Sequence, residues 1–156
     1  MIRFLILFWL FCATSFGEVM LLKEYKDENL TGWVMSEKYD GVRAIWDGKV
    51  LKSRSGKIIN APTKFINELP DFALDGELWS GVGEFEFIAS TVLDETPDIK
   101  AWEKIKYMVF DLPKFDGNLY QKMDHLNNFL KFLLNSNYIP VISLVNNMSF
   151  IRLFIS

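Results

Sequence analysis

The fold of this chain is decided by the stretch Glu37-Lys38-Tyr39-Asp40-Gly41-Val42-Arg43-Ala44. An Asp-Gly pair stands here between two runs of strand-forming residues, which is a strong hairpin signal. We therefore expect a β-hairpin that turns at Asp40-Gly41, with Lys38 at the end of one strand and Arg43 in the next. A lysine held in this way is a nucleophile when its amine is neutral, and burial or neighbouring cations favour that form. On these residues alone, a surface hairpin with a solvated lysine is the more frequent arrangement.

Two further turn signals follow, at Asp47-Gly48 and at Ser55-Gly56. They separate short runs of strand-forming residues and predict an antiparallel meander over residues 33–39, 42–46 and 50–54.

The remaining pattern mixes strands with helices. Strands are expected over residues 72–79, 105–110 and 138–145, and helices over residues 62–69, from 85 to before Pro97, and over 119–134, where the apolar residues follow a helical period. This predicts an α+β fold of antiparallel sheets with flanking helices. The strand at 72–79 carries Asp75 and Glu77 in an otherwise apolar run. Burying two acids requires partners, such as a metal, a hydrogen-bonding ligand or an arginine.

Composition restricts the classes of site. The chain has 156 residues, half of them hydrophobic, which suits one domain with or without a targeting segment. Its net charge of -3 gives no overall basic field for nucleic acid, so such a partner would need a local basic groove. With one cysteine (Cys12) and one histidine (His125), we expect no intrachain disulfide, cysteine-built zinc site, histidine-built metal centre or Ser-His-Asp triad.

The N-terminus has the pattern of a secretory signal peptide. Arg3 precedes an unbroken apolar run at residues 4–11, and the segment 13–17 that follows contains the small residues Ala13, Ser15 and Gly17. The run is too short to span a bilayer comfortably. We expect residues 1–17 to be removed on export to the periplasm or beyond, leaving a domain of residues 18–156 with no stable membrane association. A buried N-terminal strand or helix is the alternative.

Four signals stand in a fixed order along residues 20–145. They are Lys38-Tyr39-Asp40-Gly41 with Arg43, Ser53-Arg54-Ser55-Gly56, Leu74-Asp75-Gly76-Glu77-Leu78 and Tyr107-Met108-Val109-Phe110-Asp111. In this order and spacing they resemble the adenylation domain of ATP-dependent DNA ligases, within the covalent nucleotidyltransferases. The resemblance is greatest to small bacterial ligases that carry a signal peptide.

The resemblance implies an ATP-grasp-like nucleotidyltransferase fold and a ligase that uses ATP and Mg²⁺. Lys38 would attack the α-phosphorus of ATP and hold AMP as lysyl-AMP. AMP would then pass to the 5′-phosphate of nicked double-stranded DNA and the nick would be sealed, as in DNA replication, repair and recombination. The enzyme is expected to be a monomer.

The same resemblance assigns the other site residues. Arg43 and Arg54 would contact AMP or the 5′-phosphate, since a guanidinium matches phosphate in a bidentate fork. Glu77 would bind the ribose hydroxyls or help to place the metal. Phe110 would stack on adenine, and Glu37 would lie beside the adenine end of the pocket.

The chain departs from the family pattern after Phe110. No glutamate is followed by glycine, and Lys104-Ile105-Lys106 has the family's Lys-x-Lys spacing but precedes Phe110. We expect a partial adenylation domain without the later motifs and the OB-fold domain, one that binds ATP weakly, forms lysyl-AMP slowly or undetectably and does not seal nicks. The alternatives are a catalytically inactive ligase remnant and a related RNA ligase-type nucleotidyltransferase.

Overall fold

The computed structural model describes the backbone of residues 34–35, 38–135, 142–144 and 149–150, and the side chains of residues 38–132. The predicted signal peptide and Glu37 lie outside the described residues. The strands are β1 (Val34–Met35), β2 (Val42–Trp46), β3 (Leu51–Ser53), β4 (Leu74–Trp79), β5 (Lys106–Asp111), β6 (Ile142–Leu144) and β7 (Ser149–Phe150). The helices are α1 (Thr63–Asn67), α2 (Phe85–Val92), α3 (Ile99–Trp102) and α4 (Leu119–Asn135).

The main sheet has five strands in the order β3-β2-β4-β5-β6. Strands β3, β2, β4 and β5 pair antiparallel, whereas β6 runs parallel to β5. A parallel neighbour needs a long crossover, and α4 lies in that connection. The predicted α+β class, with an antiparallel sheet and flanking helices, is confirmed.

The hairpin predicted at Asp40-Gly41 is wrong. Strand β2 pairs with β3 and β4, while β1 pairs with β7 in a separate two-stranded sheet. Glycine is instead required at position 41 because the chain lies close against β4 there, and a Cβ would collide with the Leu78 carbonyl oxygen. The glycine serves a close backbone approach rather than a turn.

The second Asp-Gly pair does form a hairpin turn, between β2 and β3. Gly48 has a φ of 99°, a conformation that favours glycine. Asp47 accepts backbone N–H bonds from Lys49 and Val50 at 3.0 and 2.9 Å. An ion pair with Lys52 at 2.8 Å, together with those bonds, lowers the pKa of Asp47 to about 2. The local turn signal is sufficient here because both strands are adjacent in the chain.

The core lies on one face of the sheet. Tyr107 and Val109 of β5 are fully buried there, together with Ile88 of α2. The Tyr107 hydroxyl donates to the Ala44 carbonyl at 2.8 Å and lies 3.2 Å from the Leu74 carbonyl. Burial raises its pKa well above the usual value. The other fully buried apolar residues of the core are Ala44, Leu51, Leu74, Leu78, Val92, Ile105, Leu112 and Leu126.

The helices predicted at residues 62–69, from 85 and over 119–134 are present as α1, α2 and α4. The short helix α3 was not predicted; the Asp98 side chain caps it by accepting from the backbone N–H groups of Lys100 and Ala101 at 2.8 and 3.2 Å. Among the described residues, no helix has the length and apolar character needed to cross a membrane.

Candidate active site

The sheet face opposite the core carries the polar residues. Arg43 of β2 pairs with Glu77 of β4, which in turn pairs with Met108 of β5. Directly paired residues point to the same side of a sheet, and side chains alternate along each strand. We call this side the site face; it comprises Arg43, Asp75, Glu77, Met108 and Phe110, none of which belongs to the core cluster.

Arg43 and Asp75 form a bidentate ion pair across β2 and β4. Arg43 Nε donates to Asp75 Oδ1 at 3.1 Å, and Nη2 donates to Oδ2 at 2.7 Å. The Asp75 side chain is fully buried and that of Arg43 is only 16% exposed. The hydrogen bond to Asp75 raises the pKa of Arg43 above its usual value. The pair fixes the guanidinium in one orientation on the site face.

Phe110 reaches the site face through a β-bulge. Asp75 pairs with Asp111, but the next residue, Gly76, pairs with Val109, so Phe110 is an extra residue in β5. Bulges of this kind redirect side chains and occur next to active sites. The Arg43 guanidinium carbon lies 5.1 Å from the centre of the Phe110 ring, which is cation–π contact.

Glu77 is half-buried beside Arg43. One carboxylate oxygen accepts the Gly41 backbone N–H at 3.2 Å. Burial raises the pKa of Glu77 above its usual value, although the Gly41 hydrogen bond and the charge of Arg43 act in the opposite direction. Glu77 therefore holds the segment before β2 in place and carries a carboxyl group whose charged form is disfavoured.

Lys38 is exposed and lies three residues before Gly41. Its segment is attached to β4 at two points. The ring of Tyr39 packs edge-on against Trp79, with centroids 5.0 Å apart and an interplanar angle of 69°. The Gly41 N–H binds Glu77. The Lys38 backbone is therefore anchored at the end of the site face, with its side chain in solvent.

Arg54 does not join this group. It lies in the exposed turn after Ser53, the residue that pairs with Ala44. Within the part of the chain that the structure describes, no hydrogen bond or ion pair connects Arg54 to the site face. The structure thus brings Arg43, Glu77 and Phe110 together and places Lys38 next to them, whereas Glu37 lies outside the described residues.

Two residues of the site were missed by sequence reasoning. Asp75 was recognised as an acid that needs a partner, but was not assigned to the site. Asp111 pairs with Asp75 across the strands and forms an ion pair with Lys122 of α4 at 2.8 Å. In both cases the signal that could have identified the residue was an acid within an apolar strand. The structure shows that both are buried, with Asp75 0% and Asp111 5% exposed. The partners could not be read from the sequence because they come from other elements.

A metal ion on this face would need ligands from a bound phosphate as well as from the protein. Among the described residues, no group of three or more His, Cys, Asp or Glu side chains could hold a metal ion. Mg²⁺ is commonly bound by one or two carboxylates together with substrate phosphates. Asp75 and Asp111 are engaged by cations, so Glu77 is the carboxylate of the site face that fits this role.

Comparisons with known proteins identify relatives that span more than this chain. A DNA ligase of Haemophilus influenzae is 43% identical over 125 residues, which cover 78% of this chain and 46% of the relative. A solved structure from a structure-function study of Lig E DNA ligases matches with a TM-score of 0.70 and 36% identity, over 82% of this chain and 50% of that one. The chain thus spans about half the length of these two relatives. No protein-family model matches it.

Replacing Arg43 by alanine should destabilise the fold strongly. The change leaves the fully buried Asp75 carboxylate without its partner, and loss of one member of a buried pair costs about 3–5 kcal/mol. Denaturant unfolding of the variant measures this difference. Lys52→Ala is the matched control, because it breaks an ion pair whose partners are each 33% exposed and should cost less than about 1 kcal/mol. Equal losses for the two variants would contradict our account of the Arg43–Asp75 pair.

Glu77→Gln should stabilise the fold at neutral pH. Because the folded-state pKa of Glu77 is raised, the native protein loses stability as pH rises above the usual value of 4.5 and through the folded pKa. Glutamine does not titrate, and its amide oxygen can still accept the Gly41 N–H. The difference in free energy of unfolding between the variant and the native protein should therefore be constant at neutral pH and become smaller towards pH 4.5. Denaturant unfolding curves across this pH range measure the difference in stability. A variant less stable than the native protein at neutral pH would contradict the prediction.

Proposed function

Because this chain is a homologue of DNA ligases that spans about half of their length, we propose that it carries out ATP-dependent nucleotidyl transfer to nicked DNA, with Lys38 as the nucleophile. The observation that carries this proposal is the convergence of Arg43, Glu77 and Phe110 on the face where the Lys38 segment is anchored. A nucleophile and a fixed cation serve the transfer step itself, while the aromatic ring and the carboxylate would bind the nucleotide.

Two phosphoryl transfers precede sealing of the nick. The neutral Lys38 amine attacks the α-phosphorus of ATP; a P–N bond forms, pyrophosphate leaves and the amine loses a proton. An oxygen of the DNA 5′-phosphate then attacks the same phosphorus, which breaks the P–N bond and returns the lysine. In the complete ligase reaction the 3′-hydroxyl at the nick then attacks the activated 5′-phosphate, and AMP leaves as the phosphodiester bond forms; we do not expect this last step from the present chain alone.

Arg43 would stabilise the charge that develops on the transferred phosphoryl group. Asp75 already holds its guanidinium in place, so little reorganisation is needed when the substrate binds. Since Arg43 lies over one face of the Phe110 ring, adenine would stack on the opposite face. Glu77 would accept from the ribose hydroxyls or bind a Mg²⁺ ion carried by the phosphates. Arg54 would have to act from the edge of the site, at the turn after β3.

The proposed polymer substrate is nicked double-stranded DNA, bound by a monomer. Both relatives are named DNA ligases, which supports DNA over the RNA ligase-type alternative. The net charge of -3 gives little general attraction to a polyanion, so DNA binding would depend on local cations near the site.

We further propose that residues 1–17 direct export and are then removed. The expected result is a mature protein that begins after Gly17 when the chain is produced in a bacterial host and recovered from the periplasm. Intact-mass spectrometry measures this. Introducing a charge into the apolar run, as in Leu7→Arg, should abolish processing, whereas periplasmic protein that retains Met1 would contradict the proposal.

Long incubation with α-labelled ATP and Mg²⁺ should place a low level of label on the protein, because lysyl-AMP is expected to form slowly. The label should be absent from Lys38→Ala and retained in Lys57→Ala. The second variant is the control, because it also removes one exposed lysine and changes the net charge by the same amount. Acid-labile, alkali-stable label identifies a phosphoramidate. Failure of the native chain to acquire label would favour the inactive-remnant alternative and contradict our proposal for this chain.

A further inference from the structure

Lys106 is the first residue of β5, and its register places it on the site face. It pairs with Trp79, while the next two pairs along the strands are Leu78–Tyr107 and Glu77–Met108. Tyr107 is buried in the core, so Lys106 and Met108 point to the opposite side. The side chain of Lys106 therefore projects from the same face as Glu77.

The position of Lys106 is also at the end of the sheet where Lys38 is anchored. Trp79, its strand partner, packs against Tyr39, the residue that follows Lys38. Residues that are diagonal across neighbouring strands lie about 7–8 Å apart, which is the relation between Lys106 and Glu77. Lys106 and the segment that carries Lys38 thus both lie next to Trp79.

Lys106 differs from the neighbouring lysines in having no partner of opposite charge. Lys52 and Lys122 each form an ion pair at 2.8 Å. Lys104 lies over the Phe87 ring, 5.3 Å from its centre. Lys106 is exposed, and within the described part of the chain no carboxylate lies at ion-pair distance from it. Its ammonium is available to a ligand.

The charge of the site face points to the kind of ligand. Asp75 and Asp111 form ion pairs with Arg43 and Lys122, and among the residues assigned to the site face this leaves Glu77 as the carboxylate for which the structure shows no ion pair. A polyphosphate or a DNA phosphate on this face would gain from a second cation besides Arg43. Lys106 is diagonal to Glu77 across β4 and β5 and supplies such a cation.

We propose that Lys106 binds a phosphate group of the substrate at the Lys38 end of the site face. The identity of the substrate rests on the proposed function. The ligand group is a charged phosphate whose oxygens accept hydrogen bonds from the Lys106 ammonium. Such a group comes from two sources, the β- and γ-phosphates of ATP or the 5′-phosphate at the nick. Of the two lysines in Lys104-Ile105-Lys106, the proposal thus gives a phosphate-binding role to Lys106 and not to Lys104.

The proposal is tested by direct binding, without any chemical step. The probes are inorganic triphosphate, a nicked duplex with a 5′-phosphate, and the same duplex with a 5′-hydroxyl, each titrated into the native chain, Lys106→Ala and Lys104→Ala. Lys104→Ala is the matched control. It removes the same charge two residues earlier in the chain, and the side chain of Lys104 lies over the Phe87 ring. Thermal unfolding of each variant shows that it is folded.

We expect Lys106→Ala to weaken binding roughly tenfold relative to Lys104→Ala, as for loss of one charge-assisted hydrogen bond. Loss confined to triphosphate assigns the residue to the ATP phosphates. Loss confined to the 5′-phosphorylated duplex, with the 5′-hydroxyl duplex unaffected and the salt dependence reduced by about one counterion, assigns it to the nick.

Equal affinities of the two variants for both phosphate probes would overturn the proposal, and so would a native chain that binds neither probe. A native chain that binds the probes through Lys106 but takes no label from ATP would instead contradict the proposed function alone. The two failures are therefore distinguished by different measurements.

Discussion

The site depends on the buried ion pair between Arg43 and Asp75. It joins β2 to β4 diagonally across the sheet, with a carboxylate that is fully buried. A buried pair of this kind contributes little net stability over well-packed apolar residues, but removing one member is costly because the other is left charged and desolvated. The arrangement therefore restricts substitution at both positions and keeps the guanidinium fixed where the site needs it.

Two local irregularities complete the arrangement around this pair. The extra residue in β5 aims Phe110 at the guanidinium, and the absence of a side chain at Gly41 lets the preceding segment approach β4. Gly41 lies in the segment that follows the candidate nucleophile, whereas the bulge lies at the opposite end of the paired part of β4, beside Asp75. Irregular backbone of this kind is tolerated where function requires it and the surrounding regular sheet determines its geometry.

The electrostatics of the site face favour a ligand that brings its own charge. Asp75 and Asp111 each have a cationic partner, while Glu77 is half-buried with a pKa raised by its burial. Such a carboxyl is a cost to the folded protein, and under the proposed function a bound metal ion would offset it, which is the usual relation between stability and activity. Lys106, unpaired among the described residues and located on the same face, offers a cation to such a ligand.

Local patterns in the sequence determined the elements, the antiparallel class and the residue types of the site, because helical periods, alternating strands and the Asp47-Gly48 turn are set by neighbours in the chain. The resemblance to DNA ligases also rested on short motifs at strand ends. Strand pairing and contacts between distant elements were decided only by the tertiary structure. The Asp40-Gly41 hairpin failed because β4, thirty or so residues on, takes the edge of β2 that the preceding strand would have used. The same long-range pairing selected the arginine as the partner of Asp75 and put Lys106 on the site face, since a choice among possible partners depends on register, which the sequence pattern does not specify.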